Sequence, residues 1–201
     1  MAKLSIVNRT KFYDTLKTTN LKKVIPLNQS QVNGIETIFN EWDLRVDLTD
    51  IRFLAYMLAT DYHECDGKFQ PIEEYGKGKT RPYGSKLKMS RVKYSTPNKI
   101  YYGRGRVQLT RYEKYELMGR LLGIDLLNKP ELALDPIIST KIMFEGMTKG
   151  ASSFGDFTGR SLEQYFNKTT NDSINARRII NGTDKAKLIS GYYDEFMKCL
   201  K

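Results

Sequence analysis

The chain has 201 residues, 40% hydrophobic and 28% charged, a globular composition that excludes disordered, collagen-like and low-complexity classes. Its 33 Lys and Arg against 23 Asp and Glu give a formal net charge of +10. An acidic partner fits that balance, and charge alone does not choose between nucleic acid, an anionic membrane and an acidic cell-wall polymer. No run approaches the roughly 18 consecutive apolar residues of a membrane span. The opening MAKLSIVNRTKFYDTL has no apolar signal stretch, so the expectation is a single domain over 1–201, made in a cytoplasm and without stable membrane insertion. Cys65 and Cys199 have neither metal spacing nor a disulfide framework, which fits a reduced compartment.

In chain order, Ser30 to Trp42 predicts a surface helix, because Val32, Ile35, Ile38, Phe39 and Trp42 fall at helical spacing behind a polar cap. Asp50 to Glu64 predicts a buried one. Ile51, Leu54, Ala55, Leu58 and Tyr62 form one stripe, and Phe53, Met57 and Thr60 form another that arrives, four residues on, at Glu64. A carboxylate thus ends a central helix where it meets a cleft. From Tyr75 to Tyr102 there is no helical period; eight Lys and Arg and no acidic residue stand there, which reads as a long basic loop or a small irregular sheet facing substrate. Helical patterns resume over Thr110–Leu122, Pro136–Met147, Ser161–Phe166 (with a Ser161/Gln164 capping box) and Asp172–Ile180. Asn181-Gly182 supplies a stop, and a last amphipathic helix spans Asp184 to Leu200. The fold class is mainly α.

Several chemistries are excluded by inspection. His63 is the single histidine, so a two-histidine zinc site is ruled out and a histidine triad has no supporting serine or cysteine motif. The segment GRGRVQ from Gly103 lacks the third glycine of a dinucleotide fingerprint and the lysine of a P-loop. What remains is carboxylate chemistry: Glu64, with Glu73 and Glu74 beyond the turn at Gly67 and Pro71. Glycosidic cleavage needs such a pair, one carboxyl protonated to donate to the leaving oxygen and one ionised to activate water.

Four segments occur in order: HECDGKFQPIEEYG (63 to 76), YYGRGRVQLTRYEKY (101 to 115), NKPELALDP (128 to 136) and ARRIINGTDKA (176 to 186). Together they resemble glycoside hydrolase family 19, the chitinase-like and endolysin branch of the lysozyme-like superfamily, and especially its phage and prophage members. The resemblance extends from FYDTL through QSQVNGIETIFNEW and IRFLAYMLATDYHE to the final helix. It implies a lysozyme-like domain with 75–102 as a basic arm, needing no metal or cofactor. It makes Glu64 the general acid, Glu74 the general base with Glu73 as the alternative, and Thr110 the residue that positions the water. Gln108, Tyr112, Asn181 and Arg177 or Arg178 correspond to residues lining the sugar cleft, with His63, Tyr102 and Arg104 beside them. The implied reaction is inverting hydrolysis of β-1,4 bonds between amino sugars.

The basic arm tilts the substrate expectation towards peptidoglycan, since neutral chitin gives no reason for unmixed positive charge. The expectation is then a monomeric endolysin or virion-associated lysozyme, acting on the acidic wall or carried in the phage particle. The alternatives are a chitinase acting on chitin oligosaccharides and a non-catalytic phage structural or wall-binding protein of the same fold. A nucleic-acid binder accounts for the charge but leaves the four segments unexplained.

Overall fold

Residues 51–64 have too few polar side chains for a surface helix, and in the computed structural model they form the central one. The structure describes residues 7–96, 98–148 and 157–201. In chain order the helices are α1 (Arg9–Leu16), α2 (Gln29–Leu44), α3 (Ile51–Glu64), α4 (Tyr112–Leu122), α5 (Pro136–Thr148) and α6 (Ala186–Leu200). Every residue of α3 from Leu54 to Tyr62 is buried. Its main partner is α6, which turns Ile189, Tyr193, Phe196 and Cys199 inward at helical spacing, while α1 packs on the same helix and α5 closes the other flank. Asp50 starts α3 by accepting the Arg52 N–H at 3.0 Å. Asn28 starts α2 through a reciprocal capping box with Gln31. No described helix is long and apolar enough to cross a membrane.

The sequence pattern misses α1. Its eight residues carry only Phe12 and Leu16 to the core, too few for a periodic signal, and tertiary contact stabilises it: Phe12 meets Phe39 edge-on at 4.9 Å and lies parallel to Phe196 at 6.5 Å. Two expected helices are also corrected. Within Ser161–Phe166 and Asp172–Ile180 the chain forms only 3-10 turns, Leu162–Gln164 and Asn175–Ile179. The Ser161/Gln164 capping box is present, but pairing of Phe166 with Asn171 ends the first turn. The second is tightened while the Arg177 side chain reaches inward. The expected start at Thr110 moves to Tyr112, because Arg111 has φ 82° and ψ 148°, outside helical space.

Strands β1 (Ile72–Glu73) and β2 (Arg104–Gly105) pair antiparallel, Ile72 opposite Gly105 and Glu73 opposite Arg104, and form the base of the basic arm. The arm contains a 3-10 turn, Pro82–Ser85, and an isolated antiparallel bridge between Leu87 and Lys93. It is tied down by tyrosines: Tyr94 stacks on Tyr112 at 5.3 Å and meets Tyr101 edge-on at 5.0 Å.

Beneath the arm Arg106 is completely buried. Its guanidinium bonds Asp61 Oδ2 at 2.8 Å, Thr140 Oγ1 at 2.8 Å, and the carbonyls of Phe69 and Gly34 at 3.0 and 3.1 Å. One cation therefore joins α2, α3, α5 and the turn after α3. Gly34 allows the approach, since a methyl there would lie 1.8 Å from the Phe69 carbonyl oxygen. Both cysteines are free and buried.

Candidate active site

Glu64 is the last residue of α3, where the buried helix runs out into an open cleft of about 420 Å³. Gln108, Thr110 and Asn181 line the same cleft, together with Arg81 and Tyr83 from the arm and Phe157 and Ile180 opposite. Arg177 Nη1 donates to Glu64 Oε1 at 2.6 Å, and its Nε donates to the Asp184 carbonyl at 2.9 Å. The Arg177 side chain is 3% exposed and that of Glu64 15%, so the guanidinium forms a fixed wall behind the carboxyl.

Glu74 follows β1 and continues its pairing: its N–H donates to the Gly103 carbonyl at 2.7 Å, and the Gly103 N–H donates back to Glu74 Oε2 at 3.0 Å. The Tyr83 hydroxyl lies 2.9 and 3.0 Å from the two carboxylate oxygens. Gly103 is where three groups converge. A methyl there would stand 2.8 Å from Gln108 Oε1, 3.3 Å from Thr110 Oγ1 and 3.4 Å from Glu74 Cβ. Gln108 is locked by its amide, which donates to the Ile72 and Gly105 carbonyls at 3.1 Å each. Thr110 Oγ1 donates to the Gln108 carbonyl at 2.6 Å. Its proton is thereby committed, and its lone pairs are left to accept from a water.

Glu73 has different surroundings. The Tyr102 hydroxyl donates to it at 2.6 Å and Lys77 Nζ at 2.9 Å, and these bonds hold its carboxyl below the ordinary glutamate range. Its carboxyl is bonded on the side of Tyr102 and Lys77 and is not among the groups nearest Gly103. Tyr102, Arg104 and Tyr112 also stand apart from the cleft lining. Arg104 lies 3.5 Å over the Tyr102 ring and bonds the Tyr115 hydroxyl, all buried. The Tyr112 hydroxyl bonds Ser95 at 2.9 Å and its ring carries Lys88 at 4.2 Å. The polar tips of these three find partners inside the protein and brace the arm. Arg178 is exposed and bonds Asn175, leaving the inward position to Arg177. His63 is half-buried beside Tyr192, and burial lowers its pKa.

Tyr83 and Arg81 are cleft residues that the sequence reading missed, because nothing in a basic, glycine-rich stretch marks which side chain folds back. The signal was present in the flanking glycines. Gly78 has φ +81°, and a methyl on Gly84 would lie 1.9 Å from the Gly78 carbonyl oxygen, so the arm can fold tightly only there. A larger concavity, about 590 Å³, opens at the far end of α3 between Asp47, Arg52, Phe53, Glu163 and Lys168. Its central charges, Asp50 and Arg52, bind each other and the start of the helix, and it holds neither Glu64 nor Thr110. Among the described residues no group of three or more His, Cys, Asp or Glu is placed to hold a metal ion.

The family profile for chitinase class I matches residues 49–157. Endochitinase 1 of Theobroma cacao is 53% identical over 49 residues, 24% of this chain and 15% of that protein. An endochitinase of Arabidopsis thaliana is 36% identical over 152 residues, 74% of this chain and 48% of that protein. The chain thus spans less than half the length of these relatives. Among solved structures, a bacterial family 19 chitinase superposes with a TM-score of 0.63 at 20% identity, covering 97% of this chain and 95% of that one. Chitinase C of Streptomyces griseus gives 0.58 at 21% identity, over 97% and 91%. These two likenesses establish the mainly α fold, and the profile match covers just over half of the sequence. The chain belongs to glycoside hydrolase family 19, the class I chitinase family.

Proposed function

We propose that the protein hydrolyses the β-1,4 bonds of an N-acetylated amino-sugar polymer of the chitin type, with Glu64 as general acid and Glu74 as general base. The observation that carries the reading is the convergence of Glu74 with Thr110 and Gln108 at Gly103, the latter two lining the cleft that Glu64 also lines. Glu64 Oε1 is bound by Arg177, so Oε2 is the oxygen that carries the transferable proton to the leaving glycosidic oxygen. A water between Thr110 and Glu74 donates one hydrogen to the threonine lone pair and loses the other to the carboxylate as it attacks the anomeric carbon from the opposite face. The bond to the leaving oxygen breaks, and the product is inverted. Chitin is preferred as substrate because the relatives matched in sequence are endochitinases.

A second reading, peptidoglycan, rests on the arm. Eight of the 33 Lys and Arg and none of the 23 Asp and Glu fall in 75–102, so the arm carries a large part of the charge excess, and Arg81 brings one of those charges to the cleft. An acidic wall supplies the complement, and an endolysin or particle-borne lysozyme working on it as a monomer is the corresponding biology. Parallel assays decide: release of reducing ends from chitin oligosaccharides, and clearing of bacteria stripped of their outer membrane. Chitin cleavage without clearing supports the first reading. Clearing without chitin cleavage replaces it with the second, and activity in neither, from folded protein, overturns both.

A further inference from the structure

The arm contributes more than charge to the cleft. Tyr83 stands on its 3-10 turn, Pro82–Ser85, and its hydroxyl is nearly equidistant from the two Glu74 oxygens, at 2.9 and 3.0 Å. The residue is seated from three sides. Its ring lies against Gly78, where a methyl would come within 3.3 Å of Cδ2 and Cε2. Its carbonyl accepts from the Tyr94 hydroxyl at 3.2 Å and from the Lys86 N–H at 3.1 Å. Tyr94 in turn stacks on Tyr112 at the start of α4, so the phenol is braced against the helical core. From the opposite direction the Gly103 N–H fixes Glu74 Oε2 at 3.0 Å.

We propose that Tyr83 is a positioning residue for Glu74: its hydroxyl, held by the arm, orients the carboxylate towards Thr110. The proposal rests on the assignment of Glu74 as general base. Tyr83 can serve as donor throughout the working range, because burial and the neighbouring carboxylate both raise its pKa. Glu73 has a parallel partner in Tyr102, but that pair faces Lys77 and Arg104 and not the Gly103 cluster.

The test is kcat and KM on a chitin oligosaccharide for the wild type, Tyr83→Phe, Tyr94→Phe and Glu74→Gln, with melting temperatures for each. Tyr83→Phe should lower kcat about tenfold with KM within about twofold, an effect of the order expected for misplacing a catalytic group. Tyr94→Phe removes one hydrogen bond to the Tyr83 carbonyl but keeps the ring stack on Tyr112 and does not touch Glu74, and should leave kcat within about twofold. A wild-type kcat in Tyr83→Phe beside an inactive Glu74→Gln overturns the proposal and leaves Glu74 as base. An equal fall of kcat in Tyr94→Phe overturns it too, since arm posture and not the hydroxyl would then set the rate. Wild-type activity in Glu74→Gln removes the base assignment on which the proposal stands.

Discussion

Two glutamates next to each other in sequence, Glu73 in β1 and Glu74 just after it, enter different chemistry. Glu73 is consumed by Tyr102 and Lys77, whereas Glu74 reaches the Gly103 cluster. Glu74→Gln should therefore reduce kcat by about 10² to 10⁴, the range for a general base, while Glu73→Gln should leave it within severalfold; initial rates on chitin oligosaccharides distinguish them. Glu64→Gln should be as damaging as Glu74→Gln. Its amide oxygen still accepts from Arg177, so the stability lost should stay below about 2 kcal/mol, less than a charged hydrogen bond at full strength, as a melting curve will read. The committed proton of Thr110 sets a third expectation. Thr110→Ser keeps the acceptor and most activity, and Thr110→Val loses about tenfold to a hundredfold, on the scale of a misplaced reactant.

At the scale of elements, Arg106 decides whether α2, α3 and α5 meet. Asp61 opposite it is fully buried, where burial raises the carboxyl pKa and the guanidinium opposes the rise. Removing one partner leaves an uncompensated buried charge, so Asp61→Ala should cost about 3–5 kcal/mol, a fall in Tm of about 6–20 °C for a chain of this size. Replacing both, as Asp61→Leu with Arg106→Met, should cost less than the single change; an additive result contradicts the pair. None of this was legible in the sequence, where Arg106 is one more basic residue in a glycine-rich run and Asp61 one polar letter in an apolar helix. The helices themselves were legible wherever an apolar stripe was long: α2, α3, α5 and α6 fall within a few residues of expectation, and Glu64 sits at the end of the stripe that led to it. The failures share a cause. Leu162–Gln164 and Asn175–Ile179 have helical letters, but their backbone is set by tertiary hydrogen bonds, from the Asn171 pairing to the Arg177 reach. Likewise a sequence cannot show that Glu73 and Ser95 bond the hydroxyls of Tyr102 and Tyr112.

For the molecule as a whole, charge and proton binding set the response to solution conditions. His63 has its pKa lowered by burial, so as pH falls below about 6.5 the unfolded chain takes up a proton that the folded one resists, and stability declines. Asp66, Glu73, Asp172 and Glu195 are held below their ordinary values by hydrogen bonds, so their contribution is complete above about pH 4.5 and is lost as pH falls further. Asp61 works against this trend. Melting temperature should thus fall in two steps on acidification, and His63→Gln should remove the upper one. If the arm contacts an anionic polymer, binding should weaken steeply with salt, since attraction between exposed charges is screened over about 8 Å at physiological ionic strength. Glutamine at Lys86, Lys88, Arg91 and Lys93 should flatten that dependence in a sedimentation assay on cell walls. The central claim, two carboxyls acting on opposite faces of one sugar with a water between them, is tested most directly by time-resolved proton NMR of a freshly cleaved chitin oligosaccharide. The account predicts the α anomer as first product, with the β anomer growing in only by mutarotation; a β anomer appearing first would contradict it.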